Sequence, residues 1–154
     1  MPQDHYFSAN PDSPATVREI SYKVADREFL VQAASGTFSA SKLDPGTSIL
    51  LSKHDQFPDS GNVLDLGCGW GPISLAIASL QPEATLWALD VNERSLGLTR
   101  VNAGRLGLTN VKAVTADQIP QTAFVTAFRI EAVLSNSVKE LRQYLRKSPS
   151  QHYE

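Results

Sequence analysis

Residues 63–72 read VLDLGCGWGP, an apolar segment that leads directly into three glycines at alternate positions. Glycine lets the backbone turn sharply and approach a ligand where a side chain would collide with it. The segment that begins at Pro72 predicts a helix, and the amino terminus of a helix presents unpaired amides to an anion. The stretch therefore predicts a strand, a loop that binds a nucleotide-type cofactor and a helix, in that order.

The spacing of these glycines excludes two common nucleotide-binding loops. A dinucleotide fingerprint needs Gly-x-Gly-x-x-Gly, and its last position would fall on Pro72 when counted from Gly67 or on Ser74 when counted from Gly69. A P-loop needs Gly-Lys followed by Ser or Thr, which the stretch lacks. The remaining pattern, an acidic residue two positions before Gly-x-Gly-x-Gly, resembles the cofactor loop of class I S-adenosylmethionine methyltransferases.

The composition is that of one ordinary globular domain. The chain has 154 residues, of which 42% are hydrophobic and 19% charged, with a net charge of −2 that gives no general attraction for nucleic acid. Its only cysteine, Cys68, lies in the glycine loop, so no disulfide can form within the chain. Residues 1–5 do not resemble a signal peptide, and 73–80 is too short to span a bilayer. We expect a cytoplasmic protein without a membrane segment.

The pattern of the chain changes near Pro58. Before it, 20–24 and 29–33 predict an antiparallel hairpin joined by the polar turn 25–28, and 49–51 predicts a short helix. After it, strands and helices alternate, which is typical of a parallel sheet with crossover helices. The predicted elements there are a strand at 63–66, a helix from Pro72 to about Leu80, a strand at 85–89, a helix between Asn92 and Gly107, and strands at 111–114 and 131–134.

These patterns divide the chain into three predicted regions. An amino-terminal hairpin region covers 1–57, an α/β core that binds the cofactor covers 58–136, and a helix with a polar tail covers 137–154. The fold class is α/β, with a Rossmann-like parallel sheet of the class I methyltransferase type and a small amino-terminal β-hairpin. A complete sheet of that type has seven strands, so the later strands are missing from this sequence.

Polar residues stand at or near the ends of the predicted parallel strands, which place them in one crevice at the carboxyl edge of the sheet. Asp65 and the loop amides suit the amino and carboxylate groups of the cofactor's methionine part. Asp90, 25 residues further on, can accept from both ribose hydroxyls, and Asp117 can accept from the adenine amino group. Asn136 offers donors and an acceptor beside the sulfonium methyl group. The predicted cofactor-binding residues are Asp65, Gly67, Cys68, Gly69, Gly71, Asp90, Val91 and Asp117.

Simpler interpretations of the same residues remain open. Asp90 and Asp117 can be turn residues, and Asn136 can cap a helix. Cys68 is interpreted as a small residue that fills the loop, because neither a histidine nor a second cysteine is near it in sequence. The three histidines are scattered along the chain, and no metal site is expected.

A wider set of motifs resembles the methyltransferase small domain family over about residues 4–136. These motifs are HYFS at 5–8, GTFS at 36–39, LDPGT at 43–47, DLGCGWGPI at 65–73, DVNER at 90–94 and LTNV at 108–111. The resemblance implies S-adenosylmethionine as cofactor and methylation of the guanine N2 amine in ribosomal RNA, with ribosomal RNA or a ribosomal subunit as partner. It also implies that Asn136 binds the target amine, as the asparagine of an Asn-Pro-Pro turn does in the family.

The sequence departs from the family pattern after Asn136. Ser137 and Val138 stand where the family has two prolines, and the three later strands of the sheet are absent. Proline fixes the backbone dihedral φ, so without the two prolines the carbonyl that orients the amine is less constrained. The chain therefore reads as truncated at its carboxy terminus. Two alternatives follow: a remnant that binds the cofactor without turnover, and a methyltransferase that acts on a small molecule.

Overall fold

An antiparallel hairpin and a parallel three-stranded sheet form the framework of the computed structural model, which describes residues 9, 10, 12 and 14–119. The predicted strand at 131–134, Asn136 and the whole of 137–154 lie outside these residues. The described elements are β1 Val17–Val24, β2 Arg27–Ala34, α1 Pro45–Leu51, β3 Ser60–Leu66, α2 Pro72–Leu80, β4 Glu83–Leu89, α3 Glu93–Arg105 and β5 Val111–Val114, with 3-10 turns at His54–Gln56 and Ala116–Gln118.

The hairpin of β1 and β2 is confirmed, but its predicted four-residue turn is wrong. The strands pair from Val17 with Ala34 to Val24 with Arg27, so only two residues connect them. The first of these, Ala25, has φ 51°. A left-handed residue in a two-residue turn matches the right-handed twist of the flanking strands. The sequence predicts a longer turn because Arg27 and Glu28 are polar, but both residues pair in the ladder of β2, with their side chains exposed.

The parallel sheet has the strand order β3-β4-β5, with β4 in the centre. Its register pairs Asp65 with Ala88 and Leu89 with Val114, so the three strands end near one another at their carboxyl ends. Helices α2 and α3 connect consecutive strands, as the alternating pattern predicted. Within the described part of the chain, no helix has both the length and the apolar character of a membrane span.

The helix boundaries follow the predicted capping residues. Pro72 begins α2, where its missing amide proton is not needed. The Asn92 side chain caps α3 by accepting from the Ser95 amide at 3.0 Å. Gly107, two residues after the end of α3, has φ 67°, and the Leu108 amide donates to the carbonyl oxygen of Ala103 at 2.9 Å. This left-handed glycine ends the helix and returns the chain toward β5.

The hairpin and the sheet share one hydrophobic core. Tyr22 and Phe29 on the inner face of the hairpin stack with ring centroids 5.0 Å apart. They belong to the same buried cluster as Val63 of β3 and Leu75 of α2. The shared core fixes the hairpin on the α/β layer. The division of the chain near residue 58 stays a prediction.

Candidate cofactor site

The glycine loop between β3 and α2 has a left-handed backbone at Gly67, Gly69 and Gly71, with φ of 76°, 58° and 99°. A Cβ atom added to Gly69 would have nothing within 4 Å, so open space lies beside this part of the backbone. A Cβ atom at Gly71 would lie 2.9 Å from Oγ1 of Thr99. Gly71 thus permits close packing on α3, whereas Gly69 leaves a space that a side chain would fill.

Most amides of this loop donate to the protein itself. Gly67 and Cys68 donate to the carbonyl oxygen of Leu89 at 2.8 and 3.0 Å, and Gly69 donates to the Asp90 carboxylate at 2.9 Å. The sequence predicts that these amides face an anion, and this prediction is wrong for the three donors. Because the carboxyl end of β4 supplies both a carbonyl and a carboxylate at the same edge, it takes these donors. The loop is thereby fixed to the end of β4.

Asp65 is buried beneath the loop, with 2% of its surface exposed. Its Oδ2 atom accepts from the backbone amide of Ser74 at 3.1 Å and from the Ser74 hydroxyl at 2.6 Å. The protein therefore places its own carboxylate at the amino terminus of α2, where the sequence predicts the carboxylate of a ligand. Burial raises the pKa of Asp65 to about 6, and the nearby charge of Asp90 acts in the same direction.

Asp90 follows β4 directly and contacts the loop. Its Oδ2 atom accepts from the Gly69 amide, and its Oδ1 atom accepts from the Asn92 amide at 2.9 Å. Partial burial raises the pKa of this carboxyl above its ordinary value. Asp90 is thus a turn residue as well, because its bond to the Asn92 amide closes the turn that leads into α3. A carboxylate has about four lone pairs, so this one can also accept a hydrogen bond from a ligand.

The other predicted residues differ in their burial and in whether they contact the glycine loop. Cys68 is 3% exposed and burial raises the pKa of its thiol, which agrees with a residue that fills the loop. Val91 is half-buried beside Asp90. Asp117 is exposed in the 3-10 turn after β5 and accepts from the Thr115 hydroxyl at 2.5 Å. Among the hydrogen bonds of residues 14–119, none joins Asp117 to the loop, and its contact with adenine stays a prediction.

Within the described residues, no three His, Cys, Asp or Glu side chains lie close enough together to hold a metal ion.

Several polar residues that support the loop are not among those predicted from the sequence. These are Ser74 of α2 and Thr99 and Asn102 of α3, all buried. A hydroxyl or amide within a helix that is otherwise apolar on its buried face is the only signal that could have indicated them.

A segment after the hairpin is also attached to the site. The indole nitrogen of Trp70, within the loop, donates to the carbonyl oxygen of Ser39 at 3.2 Å. The side-chain amide of Asn92 donates to the carbonyl oxygen of Gly36 at 2.9 Å. The GTFS motif at 36–39 is therefore held against the loop and the end of β4, which gives a physical reason for its occurrence together with the glycine motif.

The charges of the site fit S-adenosylmethionine. Asp65 and Asp90 are two largely buried carboxylates, and within the described residues no cationic side chain forms a salt bridge with either. S-adenosylmethionine carries positive charge on its sulfonium and ammonium groups. A cation beside two such carboxylates is favourable because it offsets the cost of their desolvation. The open space beside Gly69 supplies room for such a ligand.

The chain is similar in sequence to known proteins. The chain is 35% identical over 114 residues to the uncharacterized protein YbxB of Bacillus subtilis, covering 74% of this chain and 57% of YbxB. It is 35% identical over 100 residues to ribosomal RNA small subunit methyltransferase C of Ectopseudomonas mendocina, covering 65% of this chain and 30% of that protein. The chain thus spans less than two thirds of the length of these relatives.

Two solved structures share the fold. A 16S rRNA N2 methyltransferase of T. thermophilus, RsmC, solved with AdoMet and guanosine, is 25% identical with a TM-score of 0.56, covering 68% of this chain and 29% of RsmC. A tRNA methyltransferase of M. jannaschii is 17% identical with a TM-score of 0.56, covering 82% of this chain and 39% of the other.

A match to a sequence family covers most of the chain, including the site. It extends over residues 28–137, which include the GTFS motif, the glycine loop and Asp90, whereas the HYFS motif at 5–8 lies outside it. The cofactor of this family is S-adenosylmethionine, whose positive charges suit the two carboxylates beside the loop. By this match, the chain belongs to the Methyltransferase small domain family.

Proposed function

We propose that this protein transfers a methyl group from S-adenosylmethionine to the exocyclic N2 amine of guanine in ribosomal RNA. The observation that carries the proposal is the acidic crevice around Gly69, where the backbone borders open space and the carboxylates of Asp65 and Asp90 favour a cationic ligand. The identity of the acceptor is supported by the relatives named as ribosomal RNA methyltransferases.

Each side chain of the crevice has a proposed role. Asp90 accepts from the ribose hydroxyls with the lone pairs that Gly69 and Asn92 do not use. Asp65 attracts the ammonium group of the methionine part, because its Oδ1 atom receives no hydrogen bond from the described residues. Asp117 accepts from the adenine amino group. The wall around the cofactor is formed by the backbone of Gly67 and Gly69 together with Cys68, Gly71 and Val91.

The proposed reaction is a direct methyl transfer. The nitrogen of the guanine amine attacks the methyl carbon, the bond between carbon and sulfur breaks, and the amine releases a proton to solvent. The products are S-adenosylhomocysteine and N2-methylguanine. Because no covalent intermediate with the protein is needed, the protein lowers the barrier by alignment of the nitrogen with the methyl group. The guanine must leave its stack to enter the crevice, and Asn136 is proposed to bind the amine there.

A second candidate is a protein that binds S-adenosylmethionine without turnover. It is favoured by Ser137 and Val138, which replace the two prolines that follow the asparagine in the family pattern. In that case the crevice would bind the cofactor, but the target amine would not be held in line with the methyl group.

Calorimetric titration and a methyl-transfer assay distinguish these candidates. The purified chain is titrated with S-adenosylmethionine and then incubated with labelled cofactor and ribosomal RNA or isolated ribosomal subunits that lack the modification. Binding together with labelled N2-methylguanine in the RNA digest supports the proposed function. Binding without transfer selects the second candidate, and transfer only to small acceptors would assign a methyltransferase of small molecules. A chain that binds no cofactor contradicts all three.

A further inference from the structure

Two polar side chains of α3, Thr99 and Asn102, hold the glycine loop on that helix. Both residues are fully buried, with 0% of their surface exposed. The Thr99 hydroxyl donates to the carbonyl oxygen of Gly69 at 3.0 Å, and the Asn102 side-chain amide donates to the carbonyl oxygen of Trp70 at 2.9 Å. Two consecutive carbonyl groups of the loop are therefore fixed on the same helix.

These hydrogen bonds set the direction of the loop peptides. In a trans peptide the carbonyl and the following amide point in opposite directions. With the Gly69 carbonyl bonded to Thr99, the Trp70 amide must point away from α3. Within the described residues this amide donates to no acceptor, whereas those of Gly67, Cys68 and Gly69 all donate. The loop thus keeps one oriented donor, and Thr99 determines its direction.

Asn102 joins the loop to the hairpin as well. Its Oδ1 atom accepts from the Gln32 amide at 2.7 Å, and its Nδ2 atom donates to the Gln32 carbonyl oxygen at 2.8 Å in addition to that of Trp70. One amide side chain therefore pairs with β2 as a neighbouring strand would, and uses both of its Nδ2 protons. The shape of the loop depends on the hairpin through this single residue.

We propose that Thr99 and Asn102 are positioning residues for S-adenosylmethionine, which maintain the binding conformation of residues 69–71 and connect it to the edge of the hairpin. The inference rests on the cofactor of the family and extends the proposed function, because neither side chain need contact the ligand. Thr99 also limits the loop sterically, since a side chain at Gly71 would meet its hydroxyl.

The alternative is that these residues only satisfy buried polar groups of the fold. Asn110 provides a matched control for that role. Its Nδ2 atom lies 3.1 Å from the Ala78 carbonyl oxygen, 3.4 Å from that of Gln81 and 2.9 Å from that of Ala84. These groups lie around the start of β4, at the end of the strand opposite to Asp90 and the loop. Asn110 thus anchors backbone as Asn102 does, but far from the site.

The first test compares Asn102→Ala with Asn110→Ala in the full chain, by thermal unfolding without cofactor and by calorimetric titration with S-adenosylmethionine. Both variants lose bonds to buried backbone groups and should unfold at lower temperature than the unchanged chain. Only Asn102→Ala should weaken binding, by about tenfold or more, whereas Asn110→Ala should stay within about twofold. Equal dissociation constants for the two variants would overturn the inference.

The second test uses Thr99 and remains decisive if Asn102→Ala fails to fold. Thr99→Val keeps the shape of the side chain but removes the donor to Gly69, and Thr99→Ser keeps the donor. The valine variant should bind S-adenosylmethionine about fivefold more weakly, and the serine variant should restore most of the affinity. Binding that is unchanged in Thr99→Val, or that is weakened equally in both variants, would overturn a positioning role for the hydroxyl.

Binding is the readout of both tests, so they do not depend on the acceptor. A chain that binds the cofactor but does not methylate ribosomal RNA would contradict the proposed reaction, while the ratios of dissociation constants would still decide the roles of Thr99 and Asn102.

Discussion

The carboxylate of Asp90 accepts a hydrogen bond from the backbone amide of Gly69 at 2.9 Å. This bond joins two motifs that are 21 residues apart in the chain, and it fixes the middle of the glycine loop on the end of β4. Asp90 is proposed to bind the ribose as well. The same side chain therefore supports the shape of the crevice and contributes to its chemistry.

Replacement of Asp90 should separate these two contributions. Asp90→Ala leaves the amides of Gly69 and Asn92 without their acceptor and should lower the free energy of unfolding by about 1–3 kcal/mol. Asp90→Asn retains one acceptor oxygen and should be less destabilised. Both variants should bind S-adenosylmethionine at least about tenfold more weakly, because the charged acceptor is lost. Denaturant unfolding and calorimetry measure the two effects, and affinity unchanged in both variants would contradict the assignment of Asp90.

The pKa of Asp65 predicts opposite effects of pH on stability and on binding. Burial raises this pKa from 3.8 to about 6, so the folded chain binds more protons than the unfolded chain between these values. The free energy of unfolding without cofactor should therefore fall as pH rises toward and through about 6. The affinity for S-adenosylmethionine should instead rise over the same range, because the ionised carboxylate attracts the cation. The raised pKa of Asp90 has the same two effects as that of Asp65: as pH rises, it lowers the free energy of unfolding and raises the affinity for the cofactor.

Unfolding curves and titrations at several values between about pH 5 and 7 test this prediction. Asp65→Asn provides the control, because the amide that replaces the carboxyl group does not titrate. It should reduce both pH dependences, although Asp90 continues to contribute. Affinity that does not change across this range in the unchanged chain would exclude Asp65 as a partner of the ammonium group.

The two glycines at 69 and 71 should respond differently to alanine. Gly69→Ala places a methyl group in open space with φ 58°, so it should cost about 1 kcal/mol of stability while obstructing the cofactor. Gly71→Ala combines φ 99° with a contact of 2.9 Å to Thr99 and should cost about 2–4 kcal/mol. Thermal unfolding should therefore rank Gly71→Ala as the less stable variant, and calorimetry should show little binding by Gly69→Ala. Full affinity in a well-folded Gly69→Ala protein would mean that the open space beside this residue is not the cofactor site.

The elements whose signals are local were predicted well from the sequence. Pro72 at the start of α2, Asn92 as the cap of α3 and Gly107 at its end all act through backbone groups within a few residues. The starts of the first four strands were less accurate, because exposed and mostly polar residues at the strand ends read as turns or loops. These strands begin two or three residues before their predicted starts, at Val17, Arg27, Ser60 and Glu83. Tertiary pairing extended them beyond their apolar segments.

The polar side chains that support the site were not predictable from local sequence signals. Ser74 bonds to Asp65, nine residues away, Thr99 bonds to Gly69 across 30 residues, and Asn102 bonds to Gln32 across 70. A helix pattern indicates which residues share a face, but it does not identify the carbonyl or carboxylate that a polar side chain on that face will meet. Nor did it indicate that Asp65 would occupy the helix terminus expected to bind an anion.

The α/β order of this protein, its glycine loop and the acidic residues beside that loop can be inferred from the amino-acid sequence, because they depend on short-range backbone geometry and on side-chain charge. Three features depend on the folded arrangement: which groups the loop donates to, which carboxylate is buried deeply enough for its pKa to reach about 6, and which helix side chains hold the loop in place. Desolvation and hydrogen-bond pairing are set by what surrounds a group in space, and residues distant in the chain supply those surroundings.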